Sequence, residues 1–430
     1  MKANRFTLIA SVAALLFAAQ SCLMEQKDIF SESSSTRMQK YLAEVETTLK
    51  SNTDGWIMEY YPGTGQKFGG YVFHVKFEDG GNVTVGSELH PADTAKSFYK
   101  MTTDNGPVLS FDTNNDLFHV FATPSSSLYE AKGGDFEFAI LNCSKEKIEM
   151  KGKRSGNVYT LLPFVQDKDT RRETYLTEVY KMAGSVKAAT VEGVIGDKEV
   201  TGDVDLNNRR ITLYYEPDAQ GDSVTAIPFR YTPEGIRAYK PVKIGGCTFQ
   251  DLFYLEKNNL LTNGVFTLQC KVPENYVPYE EFEGKYNFIY YQGSKSAKVT
   301  LTPNEDKTGF VMSGLSTHFD VNLQYDKARG RLKWYVQSVG SHGNNSIMLA
   351  AWSLDAQGGS LTWSTDAGVV ISKNLKTGLF EFEDNGEYEE GFGADSFILW
   401  EITPDGTSVD QYTGWGDSQY PYLTSMQKLE

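Results

Sequence analysis

The sequence predicts a mainly β protein with two short helices, an α+β fold of tandem antiparallel barrels or sandwiches. Along most of the 430 residues, apolar side chains alternate with polar ones in short runs separated by turn residues, as in half-buried antiparallel strands. Aromatic residues make up 13% of the chain and glycine occurs 39 times, a mixture that favours strands and tight turns. Only two stretches show strong helical spacing.

The N-terminus has the features of a secretory signal peptide. A short basic segment is followed by uncharged residues 6–19, which are fewer than the roughly 20 apolar residues of a membrane-spanning helix. Ser21 directly precedes Cys22, which resembles the lipobox of bacterial lipoproteins, although Leu is usual where Ala19 stands. The resemblance implies cleavage after Ser21 and acylation of Cys22, so that lipid chains hold the protein at a membrane. An ordinary signal peptide with an incidental cysteine is the alternative.

A helix is predicted at the start of each of the first two folded units. Apolar residues recur on one helical face from Met38 to Leu49, and serines 33–35 can cap the start of this helix. The second helix is predicted from Thr170 to Ala183, where Gly184 can end it.

The strands are predicted from period-two alternation, as in residues 73–77, and from hairpin turns such as 153–157 and 328–331. Sheets of this size usually avoid exposed edges by closing into barrels or stacking as sandwiches. For the last unit we favour a lipocalin-like barrel over a sandwich.

These patterns divide the chain into five parts joined by a linker at 272–283. Residues 97–111 and 227–241 share a strand–turn–strand pattern, which suggests that the second folded unit repeats the first. The predicted parts are a signal peptide (1–21), a lipid-anchored tether (22–35), a helix plus antiparallel β-domain (36–165), a second helix plus β-domain (166–271) and a Trp-rich, barrel-like domain (284–430).

Charge and cysteine content limit the possible partners. The formal net charge is -15, and an acidic surface repels phosphate backbones, so we expect no nucleic-acid partner. Besides Cys22, the chain has Cys143, Cys247 and Cys270, without the spacing of a zinc site. A Cys247–Cys270 bridge and two buried free thiols both remain open.

No motif predicts catalysis, so we expect a protein that is not an enzyme and that uses no cofactor or metal. The GxSxG, HExxH, Walker and GxGxxG patterns are absent from the sequence. No histidine lies within four residues of another, and His74 is expected on the polar face of its strand. We interpret residues 112–116 and 381–395 as a turn and a solvated loop rather than cation sites. Paired carboxylates for glycoside hydrolysis, which would meet only in space, stay open.

Tryptophan gives the best functional signal, because five of the six lie in the last unit. Their flat apolar faces can stack on sugar rings, and tryptophan is enriched at binding hot spots. We expect Trp334, Trp352 and Trp400 in the core, since they alternate with or follow apolar runs. Trp415 instead lies between two glycines, and packing of the C-terminal tail is the alternative to an exposed platform. The candidate ligand-binding rings are Trp415, Tyr412, Tyr420 and Trp363.

Several motifs over about residues 22–270 resemble domain-of-unknown-function family 4302, surface or periplasmic lipoproteins of the Bacteroidetes. The C-terminal unit resembles a lipocalin-like β-domain that often follows. These strand and turn motifs assign no chemistry, so only Cys22 carries over. Besides Cys22, the matching segments are DGW (54–56), YYP (60–62), GGYVFHVKF (69–77), LSFDTNN (109–115), GDFEFAIL (134–141) and IEMKGKRSGN (148–157).

The resemblance also implies partners, because members are commonly encoded beside outer-membrane TonB-dependent transporters and their SusD-like lipoproteins. We therefore expect a non-catalytic ligand-binding or accessory lipoprotein of a nutrient-uptake system, anchored at the cell surface or the periplasmic face of the outer membrane. A secreted hydrolase acting on glycans or peptides is one alternative. A structural or adhesive surface module is another.

Overall fold

The computed structural model describes residues 32–123, 131–167, 170–217, 223–304, 308–354 and 359–429. The predicted signal peptide and Cys22 lie outside the described residues, and the lipid anchor stays a prediction. Within the described part of the chain, no helix is both long enough and apolar enough to cross a membrane.

The first of three closed antiparallel barrels follows helix α1 (Ser34–Ser51). The side chain of Ser33 caps α1 by accepting a hydrogen bond from the Thr36 amide at 3.2 Å. The helix buries Val45 and Leu49 against the barrel, and the Trp56 indole donates to the Leu49 carbonyl at 2.8 Å. The strands of the first barrel are β1 (Trp56–Tyr60), β2 (Tyr71–Phe77), β3 (Asn82–Ser87), β4 (His90–Thr103), β5 (Pro107–Phe111), β6 (Glu137–Cys143), β7 (Ile148–Gly152) and β8 (Val158–Pro163).

The second barrel follows helix α2 (Arg172–Ser185), which buries Leu176 and Val179 in the core of this barrel. Pairing of the first strand with the last closes the barrel. Its strands are β9 (Thr190–Ile195), β10 (Lys198–Asp205), β11 (Arg210–Tyr215), β12 (Val224–Thr232), β13 (Gly235–Ile244), β14 (Cys247–Leu255), β15 (Leu260–Thr262) and β16 (Thr267–Lys271).

The third barrel is interrupted by a smaller antiparallel sheet, which we call the appended sheet. The barrel consists of β17 (Gly284–Tyr290), β18 (Lys295–Pro303), β19 (Gly309–Ser313), β20 (Val321–Asp326), β21 (Arg331–Tyr335), β25 (Gly368–Lys373), β26 (Phe380–Asp384) and β30 (Ser425–Lys428). The appended sheet consists of β22 (Gln337–His342), β23 (Asn345–Ser353), β24 (Ser360–Thr362), β27 (Ser396–Ile402), β28 (Ser408–Gln411) and β29 (Gln419–Tyr420).

The predicted fold class is confirmed: the described part of the chain is mainly β, with two α-helices and closed antiparallel barrels. Closure pairs the strand edges that an open sheet would expose. Residues 272–283 connect the second and third barrels, and they bury Val277 and Phe282 in the core of the third.

The barrels contact one another through buried groups. Between the first and second barrels, Glu59 forms an ion pair with Arg230 at 2.7 Å. The second and third barrels meet at the β20–β21 turn, where Ala328 is 3% exposed and belongs to the core of the second barrel. Next to it, the Lys327 ammonium donates to the carbonyl of Ala183 in the last turn of α2. The β20–β21 turn of the third barrel therefore packs into the second barrel and joins the two.

The structure corrects the expectation for His74 and decides between the two alternatives for Cys247 and Cys270. His74 is 5% exposed and not solvated, because the segment after β8 covers the outer face of β2 and places Phe164 edge-on to the imidazole at 5.3 Å. The ring instead bonds the Asp54 carbonyl through Nε2 at 2.6 Å. Cys247 and Cys270 are both free thiols, so the disulfide between them is not formed.

Candidate binding site on the C-terminal barrel

Four aromatic side chains line up where the appended sheet meets the β19–β20 loop of the third barrel. We call them the ring row: His318, Trp415, Tyr412 and His342. The His318 and Trp415 ring planes are 7° apart with centroids at 5.5 Å. Tyr412 meets Trp415 edge-on at 5.1 Å, and His342 lies 5.6 Å beyond Tyr412. Both histidines are exposed and the two larger rings are half-buried, so the row forms a surface feature.

Two glycines allow the rings to pack closely. A Cβ atom on Gly340 of β22 would lie only 2.6 Å from Cη2 of Trp415, and one on Gly414 would lie 2.6 Å from the Tyr412 hydroxyl. The glycine-rich segment between β28 and β29 therefore holds Trp415 against β22. The sequence prediction of Trp415 as a candidate ring rests on Gly414 and Gly416, which flank it; Gly340 is not part of that prediction.

The other two predicted rings lie elsewhere. Tyr420 is 1% exposed and belongs to the core of the third barrel, and burial raises the pKa of its hydroxyl. Phe319 lies between it and Trp415, with centroids 6.4 Å and 5.9 Å away. Tyr420 is therefore part of the support under the ring row and not of an exposed platform. Trp363 is half-buried against the same core, and no ring contact joins it to the row within the described residues.

A carboxylate lies at one end of the ring row. Oε1 of Glu401 accepts a hydrogen bond from the Asn345 amide at 2.7 Å and lies 3.1 Å from Nδ1 of His342. The hydrogen bonds from Asn345 and then His342 lower the pKa of Glu401, so it is ionised at neutral pH. The site thus combines flat apolar rings with a fixed hydrogen-bond acceptor, a combination suited to binding.

Sequence reasoning missed both histidines of the row. His318 follows β19 and His342 ends β22, so the chain separates them from each other and from Trp415. Only barrel closure and the inserted sheet bring them together, and no short motif records that. Within the described residues, no three His, Cys, Asp or Glu side chains are grouped to hold a metal ion.

Three consecutive closed barrels, the last carrying an appended sheet with aromatic rings near its surface, define a class of multi-barrel β protein. The chain belongs to the domain-of-unknown-function family DUF4302, whose family model matches residues 26–257. A second model, DUF4987, also described as a domain of unknown function, matches residues 261–400. The family resemblance drawn from the strand and turn motifs is thereby confirmed.

Solved structures resemble the chain only remotely. A transferrin-binding protein B double mutant from Haemophilus parasuis Hp5 is 10% identical, with 79% of this chain and 72% of that chain covered and a TM-score of 0.14. A DNA polymerase III beta subunit described as putative, from Eubacterium rectale ATCC 33656, is 8% identical, with 84% and 98% covered and a TM-score of 0.10. A comparison with curated proteins found no match.

Proposed function

We propose that this protein is a non-catalytic outer-membrane lipoprotein that binds its ligand at the ring row and serves as an accessory component of a TonB-dependent nutrient-uptake system. The single observation that carries the binding role is the alignment of the exposed His318 and His342 with the half-buried Trp415 and Tyr412, beside the ionised Glu401.

The geometry of the row supports a glycan as ligand. The C–H faces of sugar rings stack on flat aromatic faces, and Trp415 and Tyr412 provide two such rings at an angle of 78°. Glu401 and Asn345 supply an acceptor and an amide at the end of the row, positioned for sugar hydroxyls. The ligand would lie along the seam between β22 and the β19–β20 loop.

The proposed location depends on the sequence. Uncharged residues 6–19 followed by Ser21 and Cys22 support export and acylation at the cysteine. The association with a transporter and a SusD-like lipoprotein rests on the family resemblance alone. On this proposal the barrels lie in water beside the outer membrane, at the cell surface or on the periplasmic face.

The binding role is tested by replacing Trp415 and Tyr412 with alanine in the chain from residue 22 onward. Glycan-array binding and calorimetry should show at least about tenfold weaker affinity for the recognised glycan, with circular dichroism unchanged. Leu375, an exposed hairpin residue (59%) remote from the row in sequence, provides a matched control when changed to alanine. Unchanged affinity in the double variant would refute the site.

The transporter association requires a separate experiment. The protein carrying a C-terminal tag is purified from mildly solubilised native membranes, and its partners are identified by mass spectrometry. Stoichiometric recovery of a transporter and a SusD-like protein would support the accessory role. Recovery of the protein alone would contradict that role without affecting the ring row.

A further inference from the structure

The appended sheet has a second aromatic surface on the side turned away from the barrel. Side chains alternate along a strand, so Leu349 and Ala351 of β23 face the core while Ala350 and Trp352 face outward. We call this outward surface the tryptophan face. Its members are Ala350 opposite Ile398, Trp352 opposite Ser396, and Trp400, whose cross-strand partner Met348 belongs to the core of the third barrel.

Both tryptophans of this face lie outside the core, contrary to the sequence expectation that Trp352 and Trp400 are buried in it. Each is half-buried, and neither belongs to the core of the third barrel or to the side chains packed against it. Ala350 and Ile398, which lie between them in the register, are 0% and 5% exposed. Larger neighbouring side chains therefore cover Ala350 and Ile398, and the two tryptophans lie on either side of this buried pair.

Neutral hydrogen-bonding groups border the face on the β28–β29 side. The Trp400 indole donates to the Ser408 hydroxyl at 2.9 Å, which fixes the orientation of the ring. Gln411, directly opposite Trp400, donates to the Ser418 hydroxyl at 2.8 Å and accepts from Gln419 at 3.2 Å. The two linked amides leave donors and acceptors free for a ligand at the edge of the apolar surface.

The described side chains of the face are uncharged, although 23% of the chain is charged. They are those of tryptophan, alanine, isoleucine, serine and glutamine. A charged partner would find no counter-charge here, whereas a neutral ligand with C–H faces and hydroxyl groups matches both the rings and the amides. Trp352 lies four residues along β23 from Met348, the residue opposite Trp400, a distance of about 13 Å. That span exceeds one sugar ring.

We propose that the tryptophan face binds an uncharged polysaccharide chain, with sugar rings stacked on Trp352 and Trp400 and hydroxyls bonded to Gln411 and Gln419. This site is separate from the ring row. Glu401 at the end of the row is the neighbour of Trp400 on β27, so the two side chains point to opposite sides of the sheet. The proposal extends the proposed glycan-binding function, and it can fail without affecting the ring row.

The test is affinity electrophoresis of the chain from residue 22 onward in native gels containing soluble starch, mixed-linkage β-glucan or galactomannan, with polygalacturonate as the charged comparison. At least one neutral polysaccharide should retard the protein more than polygalacturonate does. Changing Trp352 and Trp400 together to alanine should weaken that retardation at least about tenfold. The matched control is Leu375→Ala, an exposed hairpin residue (59%) outside the appended sheet and outside the ring row, which should leave the retardation intact.

A second variant keeps the test decisive should the loss of two tryptophans disturb folding. Gln411→Ala combined with Gln419→Ala changes only the amide border and should weaken retardation several-fold with unchanged circular dichroism. Absence of retardation by all three neutral polysaccharides would overturn the proposal, as would equal retardation of the wild type and both variants. A dimer in size-exclusion chromatography that is lost in the tryptophan variant would also overturn it, because the face would then cover a second copy. Loss of binding only in the Trp415 and Tyr412 variant would assign binding to the ring row alone.

Discussion

Glu88 of the first barrel and Arg209 of the second form an ion pair of 2.5 Å in which the side chains are 1% and 7% exposed. Each side chain also makes a hydrogen bond to the backbone of the first barrel: Glu88 accepts from the Val72 amide at 2.9 Å, and Arg209 donates to the Gly70 carbonyl at 2.5 Å. The guanidinium also lies 3.8 Å from the centre of the Tyr71 ring. The pair therefore fixes the second barrel on the first.

Changing Arg209 to Met should lower the free energy of unfolding by about 3–5 kcal/mol, because it leaves the Glu88 carboxylate buried without its partner. The measurement is urea unfolding followed by fluorescence. As a control, Lys147→Met breaks an exposed pair with Glu149 and should change stability by no more than about 1 kcal/mol. Similar losses in both variants would contradict a structural role for the buried pair.

His74 should make the protein sensitive to mild acid. Burial lowers the pKa of its imidazole, so the folded state holds it neutral while the unfolded chain takes up a proton near pH 6.5. Stability is therefore lost as pH falls below about 6.5. The melting temperature of the wild type should fall more between pH 7.5 and 5.5 than that of His74→Gln. An equal fall in both proteins would show that His74 is not the titrating group.

Lys327 should give a pH dependence of the same sign, at higher pH. Burial, and then the charges of Lys187 and Arg209, lower the pKa of its ammonium to about 7. The folded protein releases this proton above that pH while the unfolded chain keeps it to about pH 10, so stability rises between these limits by at most about 1.4 kcal/mol per pH unit. Lys327→Met removes this pH-dependent contribution to the free energy of unfolding. The stability difference between the two proteins should change between pH 7 and 9.5, and a constant difference would contradict the assignment.

Gly340→Ala tests the ring row without removing a ring. The new Cβ would lie 2.6 Å from Cη2 of Trp415, so the indole must move. We expect altered tryptophan fluorescence and about tenfold weaker glycan affinity, or ~1.4 kcal/mol. Gly393→Ala is the control, because no atom lies within 4 Å of its added Cβ. Wild-type fluorescence and affinity in Gly340→Ala would show that the position of Trp415 does not matter.

The proposed lipid anchor is tested at Cys22. Cys22→Ala should abolish incorporation of a labelled fatty acid and move the protein from the membrane fraction to the soluble fraction. Cys143→Ala, which removes a free thiol of the first barrel, should keep both label and membrane association. Label retained in the Cys22 variant would exclude the anchor.

Local patterns in the sequence were enough to predict both described helices and part of the strands. Alternation at residues 73–77 and helical spacing from Met38 to Leu49 both depend on neighbours in the chain, and both elements form there. They could not reveal which face of a strand is covered. His74 is buried because the segment after β8 covers β2, and Trp352 and Trp400 lie outside the core because only one side of the appended sheet packs on the barrel.

The candidate site was predictable only in part, for the same reason. Tyr412 and Trp415 lie in one glycine-flanked segment, so composition could identify them. His318 and His342 join them through long-range packing, by the β19–β20 loop and the end of β22. When two elements that are far apart in the chain form one surface, no local sequence pattern predicts that surface.

Strand β30 has a consequence for the order of folding. The third barrel opens with β17 and closes only when β30, ending at Lys428, pairs with both β17 and β26. During synthesis the first two barrels can therefore complete their sheets before β30 is made, and the third closes only after it. Deletion of β30 should leave two finished barrels joined to an unclosed third.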